Sequence, residues 1–405
     1  MDRTRILHLA DLHLGAGHSH LEPRAAERRE EADRVLGRLA DFALQPDSGI
    51  GGVIIAGDLF DLHDPPARAV EHVLHDLARL EAGGVRVCTV PGNHDEYSYP
   101  NVVYRRWAAS WPGTLVTAPA PERVVSWSLE GLAVDLYAMA FIEGRSRPPY
   151  DRFAVEPGPA RKIAVLHGSL DVAWSDRSLP LRSENLAALG VDYIALGHIH
   201  RPMDRRVGRA WACYPGRIEG GGFDDPGGAG MVLIDLAADE LRPQRLPFVS
   251  QPIRTEAWNI SGLVSEDDLA GRLEALADPR AIVRVVLSGL PGFPLRVERL
   301  LVRFAPRFFH LEITAGETEA LPPDLEEAAA EPTVRGLFAS VAMERIAAAT
   351  TAKRDLHQAA LRFGWDAFGG GRGEAAGANG SGGLDASTGV GPSDRTGDAT
   401  AGGRL

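Results

Sequence analysis

The stretch Val53–Asp61, with the sequence Val-Ile-Ile-Ala-Gly-Asp-Leu-Phe-Asp, sets the interpretation of the whole chain. Its first half is short, apolar and rich in β-branched residues, which is typical of a buried strand in a sheet covered on both faces. Gly57 ends the apolar run, and Asp58 stands where the strand gives way to a loop. Ligands of open α/β sheets bind at that carboxyl end. A Gly-Asp pair after a strand is also a common turn, so Asp58 gains meaning only from its neighbours.

Length and composition favour a soluble protein of several domains. The chain has 405 residues, enough for a sizeable core and for two or three domains. Hydrophobic residues make up 44% and charged residues 24%, as in ordinary globular proteins. The net charge of -12 weighs mildly against a nucleic-acid partner, because such proteins usually carry a basic surface, although that surface can be local.

The expected compartment follows from cysteine content and hydropathy. Cys88 and Cys213 are too few for a disulfide framework, which favours a reducing compartment. No apolar run approaches the roughly 18 residues of a membrane span. The apolar run near the start is broken by polar residues and lacks a small-residue cleavage site. We therefore expect no membrane segment, no signal peptide and a cytoplasmic location.

The first metal-ligand motif in chain order follows the first predicted strand. Ile6–Ala10 is apolar, and Asp11 and His13 come directly after it, separated by one leucine. Alternate residues of extended backbone point the same way, so the two side chains can offer an oxygen and a nitrogen to one ion. A polar loop explains this motif equally well when it is taken alone. An amphipathic helix over residues 24–44 then leads to the strand that bears Asp58, which predicts a βαβ unit and a parallel sheet.

The third motif follows the next predicted strand. Strand Val85–Val90 leads into the sequence Pro-Gly-Asn-His-Asp. Asn93 offers a carbonyl oxygen to a metal ion. We interpret His94 as an acid, and Asp95 as a neighbouring carboxylate that holds the tautomer of His94 and raises its pKa. Asp61, which ends the Asp58 motif, is interpreted as a turn former or a supporting residue rather than as a ligand.

Histidines also follow strand ends in the second half of the chain. Strands are predicted at residues 124–129, 133–140, 163–166 and 191–196. His167 follows the third of these strands, and His198 and His200 follow the fourth with a spacing of two. A single histidine is more often structural than a ligand, but three at strand ends, matched by three motifs in the first half, favour one shared site. Residues 212–220 are predicted to form a loop near that site, before a closing strand at 231–236.

Aromatic residues cluster just after the third motif, at Tyr97, Tyr99, Tyr104, Trp107 and Trp111. Packing of a loop and a short helix explains this cluster, and we favour that interpretation. The alternative is a wall for a nucleobase, because aromatic faces stack on bases at about 1–3 kcal/mol each.

Three regions follow a core that we expect to span residues 1–248. A small α+β cap domain is predicted over residues 249–320. Predicted strands and helices alternate there, at 252–259, 265–277, 281–288, 295–304 and 307–314. Within residues 321–368 two helices are predicted, at 332–349 and 352–366. They carry an apolar stripe and either pack on the chain or dock a partner protein. Residues 369–405 are rich in Gly, Ala and Ser, which predicts a disordered tail.

Eight side chains together form one candidate site: Asp11, His13, Asp58, Asn93, His94, His167, His198 and His200. Carboxylate, amide and imidazole ligands without thiolate suit divalent ions such as manganese, iron or zinc. Two ions about 3.5–4 Å apart can clamp an in-line displacement at phosphorus and lower the pKa of water to make a nucleophile. Both ions can share one carboxylate oxygen, and Asp58 is the candidate for that position.

These motifs in this order, DLH, GDLFD, GNHD, HG and GHIH, resemble the calcineurin-like metallophosphoesterase family over residues 1–240. The opening HLADLHLG, the GDLFD form of the second motif and the small domain after the core resemble the SbcD-type DNA repair nucleases of that family. The resemblance implies an α/β fold, namely a metallophosphoesterase β-sandwich flanked by helices, with a small α+β cap domain and C-terminal helices.

The same resemblance implies residue roles and partners. One metal ion would be held by Asp11, His13, Asp58 and His200. The other would be held by Asp58, Asn93, His167 and His198, with His94 beside the scissile phosphate. The implied cofactors are two divalent ions, manganese before iron or zinc. The implied partners are DNA and an SMC-like ATPase of the SbcC type that docks on the C-terminal helices, and a homodimer is a further candidate assembly.

Three functions compete at this point. The first is a manganese-dependent DNA nuclease, an exonuclease subunit of an SbcCD-like repair complex. The second is a metallophosphodiesterase or phosphatase acting on small nucleotides or phosphoproteins. The metal-ligand motifs fit the first and the second function equally well. An enzyme for small substrates, however, does not need the cap domain and the C-terminal helices. The third is a degenerate fold that serves as an adaptor for the ATPase, against which the intact ligand set argues.

Overall fold

The computed structural model describes six ranges of the chain, residues 3–143, 145–147, 153–172, 178–289, 291–315 and 325–369. The chain divides into two compact units, Met1–Pro323 and Asp324–Leu405. The predicted disordered tail lies outside the described residues from position 370 onward. Within the described ranges, no helix combines the length and the apolar character that crossing a membrane requires.

The described strands all lie in the larger unit. In chain order they are β1 (Arg5–Leu9), β2 (Ile50–Ala56), β3 (Arg86–Val90), β4 (Thr114–Leu115), β5 (Glu122–Leu129), β6 (Leu132–Ala138), β7 (Arg161–His167), β8 (Ser169–Leu170), β9 (Pro180–Leu181), β10 (Tyr193–Gly197), β11 (Met203–Val207), β12 (Ala210–Tyr214), β13 (Glu219–Gly222), β14 (Asp225–Gly227), β15 (Met231–Asp235), β16 (Gln244–Leu246), β17 (Ile253–Asn259), β18 (Ile282–Ser288) and β19 (His310–Ala315).

Helices occur in both units. In chain order they are α1 (Ala25–Asp33), α2 (Val35–Ala43), α3 (Ala67–Ala82), α4 (Val103–Trp107), α5 (Ser183–Ala187), α6 (Glu266–Leu276), α7 (Val297–Phe304), α8 (Leu325–Ala329), α9 (Val334–Ala348) and α10 (Thr351–Gly369). Short 3₁₀ turns are present at Ser19–Leu21, Ala108–Ser110 and Ala305–Arg307.

Two six-stranded sheets make up most of the larger unit. Their strand orders are β16-β15-β1-β2-β3-β4 and β11-β12-β10-β7-β6-β5. Strands β1 to β4 run parallel to one another. Strands β12, β10, β7 and β6 do the same in the second sheet. The predicted parallel sheet is therefore confirmed, and each sheet has antiparallel strands at its edges.

Strand β2 shows why these sequences form a sandwich. Val53 and Ile55 pack into the core that the first sheet shares with α2 and α3. Ile54 faces the other way, into the core between the two sheets. Because both faces are covered, every residue of the strand is buried and its sequence is continuously apolar. A third core, which includes Leu186 of α5, covers the outer face of the second sheet. The predicted class, an α/β β-sandwich flanked by helices, is confirmed.

Two local predictions are wrong. The helix predicted over residues 24–44 is two helices, because Arg34, at φ -75° and ψ -7°, separates α1 from α2. The loop predicted over residues 212–220 begins with the end of β12, which lies beside β10 and forms a hairpin with β11. The segment is a strand because Ala212, Cys213 and Tyr214 are buried in the second sheet, a tertiary effect that the following Pro-Gly pair obscures.

The region after the sandwich contains the predicted alternation of strands and helices. Strands β17, β18 and β19 form a three-stranded parallel sheet. Side chains of α6 and α7, including Leu273 and Leu300, pack with Val283 and Val285 in a separate core. Ser265 is the N-cap of α6 and forms a capping box with an aspartate of the first turn.

The smaller unit consists of α8, α9 and α10 in the described residues. The first of these helices is not predicted from the sequence, whereas α9 and α10 are. Ala339, Ile346 and Leu361 are buried, but several large apolar side chains stay exposed. They are Val334 (75% exposed), Leu337 (67%), Val341 (41%), Leu356 (68%), Phe363 (84%) and Phe368 (42%).

A buried ion pair ties α1 to the hairpin of β13 and β14, and its loss is expected to destabilise the larger unit. Arg28 is fully buried, and its Nη1 donates to Glu219 (3.0 Å) while its Nη2 donates to the Gly220 carbonyl oxygen (2.8 Å). Arg28→Ala leaves the carboxylate without this buried partner, so we expect a loss of about 3–5 kcal/mol in the free energy of unfolding, measured by urea denaturation.

Arg34→Ala is the matched control for this measurement. Arg34 also pairs with glutamates, at 3.1 and 3.2 Å, but its side chain is 56% exposed. Exposed pairs are worth about 0–1 kcal/mol, so this variant should unfold close to the wild type. Equal stability of the two variants would show that the Arg28 pair does not hold the hairpin.

Candidate metal centre

The candidate ligands lie at the carboxyl ends of five strands, β1, β2 and β3 of the first sheet and β7 and β10 of the second. In chain order these ends carry Asp11 and His13, then Asp58, then Asn93 and His94, then His167, and finally His198 and His200. Three groups place their ligand atoms within 4.8 Å of one another: Asp11 with His13 and His200, His13 with Asp58 and His94, and Asp58 with His167 and His198. The predicted side chains therefore meet in one place.

The first two loops hold each other in an uncommon backbone conformation. Asp11, His13 and Asp58 have φ values of 55°, 46° and 49°. The amide of Asp11 donates to the Gly57 carbonyl oxygen and that of His13 donates to the Asp58 carbonyl oxygen, each at 3.1 Å. Positive φ in residues other than glycine costs of order 1–3 kcal/mol each and persists where the surroundings fix it, most often at functional sites.

Close approach explains the glycines of the GDLFD and GNHD motifs. Gly57 has φ of 93°, and a Cβ atom there would lie 2.0 Å from Nδ1 of His167. A Cβ atom at Gly92 would lie 2.2 Å from Oδ1 of Asp58. Any larger residue at either position would displace a candidate ligand.

The first group of ligands contains two imidazoles that face each other. The Nε2 atoms of His13 and His200 lie 3.0 Å apart. Nδ1 of His13 is 3.2 Å from the Asp61 carboxylate, and Nδ1 of His200 is 2.8 Å from the Asp225 carboxylate. Because a carboxylate only accepts hydrogen bonds, Nδ1 of His200 keeps its proton, and the nearby Asp61 carboxylate favours the same tautomer of His13. The facing Nε2 atoms of neutral rings then present lone pairs. A proton or a cation must lie between them, so this group fits a metal ion.

The second group has the same character. Nδ1 of His167 lies 2.9 Å from the Ala56 carbonyl oxygen, so it carries a proton. Its Nε2 faces Oδ1 of Asn93 at 2.9 Å and Oδ2 of Asp58 at 3.4 Å. The same Asn93 oxygen lies 2.8 Å from Nδ1 of His198. Burial lowers the pKa of His167, but the Asp58 carboxylate outweighs burial and raises it to about 9, which shows that positive charge is favoured here.

Asp58 belongs to both groups. Its Oδ2 lies 3.4 Å from Nε2 of His167 and 3.7 Å from Nε2 of His13. Burial alone would raise the pKa of Asp58, but the facing imidazoles hold it far below its usual value. Burial raises the pKa of the nearby Asp11 to about 6 and lowers that of His13 to about 4. The centre is thus a buried space with a carboxylate at its middle and neutral imidazole available as a ligand.

His94 stands at the rim of this space. Its backbone amide donates to Oδ1 of Asp58 (2.9 Å), and its Nδ1 lies 3.0 Å from the Asp61 carbonyl oxygen. Nδ1 therefore carries a proton, which leaves Nε2 as the nitrogen that can take up or release one. The ring is exposed and borders a cleft of about 710 Å³ that His198, His200 and Arg201 also line.

The role predicted for Asp95 needs correction. Its carboxylate is fully buried and accepts hydrogen bonds from the amides of Gly92 (2.7 Å) and Phe60 (3.0 Å) and from the Tyr104 hydroxyl (2.6 Å). The partner of the His94 ring is the Asp61 carbonyl oxygen instead. Adjacency in sequence does not bring these two side chains together, because the turn places the Asp95 carboxylate among backbone amides. Asp95 holds the loops of the second and third motifs together.

The sequence analysis missed two residues that support the ligands. Asp225, on β14, contacts His200, and Arg217 contacts the same Asp225 oxygen at 2.9 Å. Both lie in a glycine-rich segment without a ligand-like spacing, so only the fold relates them to the site. Asp61, interpreted as a supporting residue, lies beside both His13 and His94.

The aromatic cluster is mainly part of the packing. Tyr104 and Trp111 are buried, and the indole of Trp111 donates to the Thr89 hydroxyl at 3.2 Å. Tyr97 is partly buried against the cores. The favoured packing interpretation therefore holds for Tyr104 and Trp111, and the nucleobase wall cannot include them.

A helix-flanked β-sandwich with carboxylates and imidazoles at the strand ends defines a class of metal-dependent phosphoesterases. Residues 4–202 match the family described as calcineurin-like phosphoesterase. The chain is 32% identical over 306 residues to the DNA double-strand break repair protein Mre11 of Sulfurisphaera tokodaii, covering 71% of this chain and 74% of that protein. This chain belongs to the calcineurin-like phosphoesterase family.

The chain is also similar to two proteins of Bacillus subtilis. The chain is 30% identical over 350 residues to the SbcD subunit of the nuclease SbcCD of Bacillus subtilis, covering 76% of this chain and 85% of that relative. It is 27% identical over 304 residues to the uncharacterized metallophosphoesterase YhaO of the same organism, covering 70% of this chain and 71% of that protein. The predicted resemblance to SbcD-type nucleases is confirmed as a similarity.

Two substitutions are expected to separate metal binding from turnover. His94→Ala removes a rim imidazole, so binding of a divalent ion should persist while hydrolysis of a phosphodiester with an alcohol leaving group falls by about 10²–10⁴-fold, the usual contribution of a general acid. Asp58→Ala removes the oxygen shared by both groups, so binding and turnover should both be lost. Calorimetric manganese titration and single-turnover kinetics measure the two properties.

The controls are a histidine and an aspartate outside the site. His75→Ala changes an exposed residue of α3, and Asp64→Ala removes an exposed pair with Arg106. Both should bind metal and turn over as the wild type does. Cleavage by His94→Ala at the wild-type rate would refute the acid role.

Proposed function

We propose that this chain is a metal-dependent DNA nuclease, an exonuclease that hydrolyses phosphodiester bonds by two-metal in-line attack as a subunit of an SbcCD-like repair complex. The observation that carries the proposal is the Asp58 carboxylate oxygen that faces both His13 and His167. The names of the relatives, a nuclease subunit and a DNA double-strand break repair protein, support DNA as the substrate.

The proposed cofactors are two divalent ions, manganese before iron or zinc. The donor set has oxygen and imidazole nitrogen and no thiolate, which suits such ions. One ion would be held by Asp11, His13, Asp58 and His200, and the other would be held by Asp58, Asn93, His167 and His198. When bound, such ions polarise the phosphoryl group and lower the pKa of water so that it can attack phosphorus.

The residues of the chain contribute orientation and a proton. Asp225 fixes the His200 ring through Nδ1, and the Asp61 carboxylate lies beside Nδ1 of His13, so the ligands need little rearrangement on binding a cation. We propose that the His94 ring, protonated at Nε2, gives that proton to the departing sugar oxygen. The Asp61 carbonyl oxygen orients the ring for this step.

The alternative function is hydrolysis of small nucleotides or phosphoproteins. The ligand set serves this chemistry as well, so the discriminating features lie elsewhere in the chain. We propose that residues 249–320 form a cap that borders a DNA path and that residues 321–368 dock the SMC-like ATPase. The exposed Leu337 and Phe363 support the docking role, because apolar helix faces of this kind are used to bind partners. A neighbouring reading frame for such an ATPase would favour the nuclease further.

DNA as substrate predicts a steep dependence on salt. With manganese the protein should degrade labelled linear duplex, and duplex binding should weaken by about 10³-fold or more between 50 and 200 mM salt if it contacts 6–10 phosphates. Gel-based cleavage and fluorescence anisotropy measure the two effects. Hydrolysis of bis-p-nitrophenyl phosphate without duplex binding would favour the small-substrate alternative. Inactivity on both substrates would favour the adaptor.

Deletion of residues 330–405 is expected to separate hydrolysis from assembly. The metal centre lies outside this segment, so hydrolysis of bis-p-nitrophenyl phosphate should match the full chain, while co-purification with a co-expressed SMC-like ATPase should be lost. Leu337→Ser and Phe363→Ser test the same surface without a deletion. If the truncated chain still co-purifies, the docking proposal is wrong.

A further inference from the structure

Strands β13 and β14 form a hairpin, residues 219–227, that reaches from the sandwich to the sheet of β17–β19. The strands pair antiparallel. At its base, Glu219 is held by ion pairs to Arg28 (3.0 Å) and Arg38 (2.8 Å). Three consecutive glycines at 220–222 leave the first strand of the hairpin with few side chains of its own. Its geometry therefore depends on what the remaining side chains contact.

One of these contacts reaches the metal centre. Oδ2 of Asp225 lies 2.8 Å from Nδ1 of His200 and 2.9 Å from Nη1 of Arg217. A carboxylate behind a ligating imidazole fixes the orientation of the ring and raises its strength as a ligand. His167, in the other group, is held by the Ala56 carbonyl oxygen of β2 instead. The Asp225 contact thus supports the group that contains His200.

The tip of the hairpin contacts the three-stranded sheet. The guanidinium of Arg284, on β18, lies 4.0 Å from the centroid of the Phe223 ring, a cation–π contact. Arg284 is itself paired with Glu312 of β19 at 2.7 Å. Phe223 also packs against the small apolar cluster that includes Ile253 and Phe309. Only one residue separates Phe223 from Asp225, so the position of the tip sets the position of the carboxylate.

We infer that the hairpin couples the sheet of β17–β19 to one of the two metal positions. The contact of Phe223 with Arg284 places Asp225, Asp225 orients His200, and His200 completes the position that also takes Asp11 and His13. Phe223, Asp225 and Arg284 are positioning residues in this sense. The inference rests on the proposed function, because it takes the two metal positions as given. Displacement of the sheet by a ligand would then change the occupancy of one position alone.

Manganese titration of the full chain, followed by calorimetry and electron paramagnetic resonance, tests the coupling. The wild type should bind two ions. Asp225→Asn should weaken one position by about 10–100-fold, as loss of a supporting carboxylate does, and leave the other unchanged. Phe223→Ala and Arg284→Ala should weaken the same position by a smaller factor. Phe223→Tyr keeps the ring, so it should restore wild-type binding.

A distant contact of the same kind provides the control. The Arg242 guanidinium lies 5.5 Å from the centroid of the Trp211 ring, and Arg242→Ala should leave both positions as in the wild type. Thermal unfolding in the presence of a chelator should give the same midpoint for Phe223→Ala and the wild type. An equal midpoint shows that weaker metal binding by the variant reflects a misplaced ligand and not a loss of folded protein.

The other outcomes contradict distinct claims. If Phe223→Ala binds both ions with wild-type affinity, or weakens both positions equally, the coupling is wrong while the proposed nuclease stands. If the wild type binds fewer than two ions, the proposed two-metal function is wrong. The coupling inference is then wrong as well, because it depends on two metal positions.

Discussion

A buried carboxylate with acceptors on both sides is the constraint on which the rest of this structure depends. Asp58 is 1% exposed, and one of its oxygens faces imidazole nitrogens of His13 and His167 that have lone pairs when the rings are neutral. Such an arrangement costs several kcal/mol unless positive charge occupies the space between the groups. The raised pKa of His167 is one expression of that requirement. A bound divalent cation would be another.

The architecture of the sandwich keeps the ligands of this site close together. If water could reach and solvate each ligand separately, the loops that carry the ligands would separate easily. Parallel strands of two packed sheets instead direct the loops to one edge, and backbone hydrogen bonds lock Asp11 against Gly57 and His13 against Asp58. The resulting positive φ values are a local cost that the two extensive apolar cores offset.

The meeting of the candidate ligand residues at one edge, and the parallel sheet, could be predicted because both follow from short-range sequence patterns. An apolar run that ends in Gly57 and Asp58 needs no distant information, and the same holds for the pair His198 and His200. The role of Asp95 and the contact of Asp225 with His200 could not be predicted, because tertiary packing alone selects their partners. Strand β12 was missed for the same reason, since its burial comes from β10 and β11.

The central claim is that two divalent ions share the Asp58 carboxylate. Anomalous diffraction from crystals grown with manganese, recorded on both sides of the manganese absorption edge, tests this claim most directly. The account predicts two anomalous peaks about 3.5–4 Å apart, the spacing of two-metal hydrolases, with Oδ2 of Asp58 between them. A single peak, or two peaks that do not flank Asp58, would contradict the account.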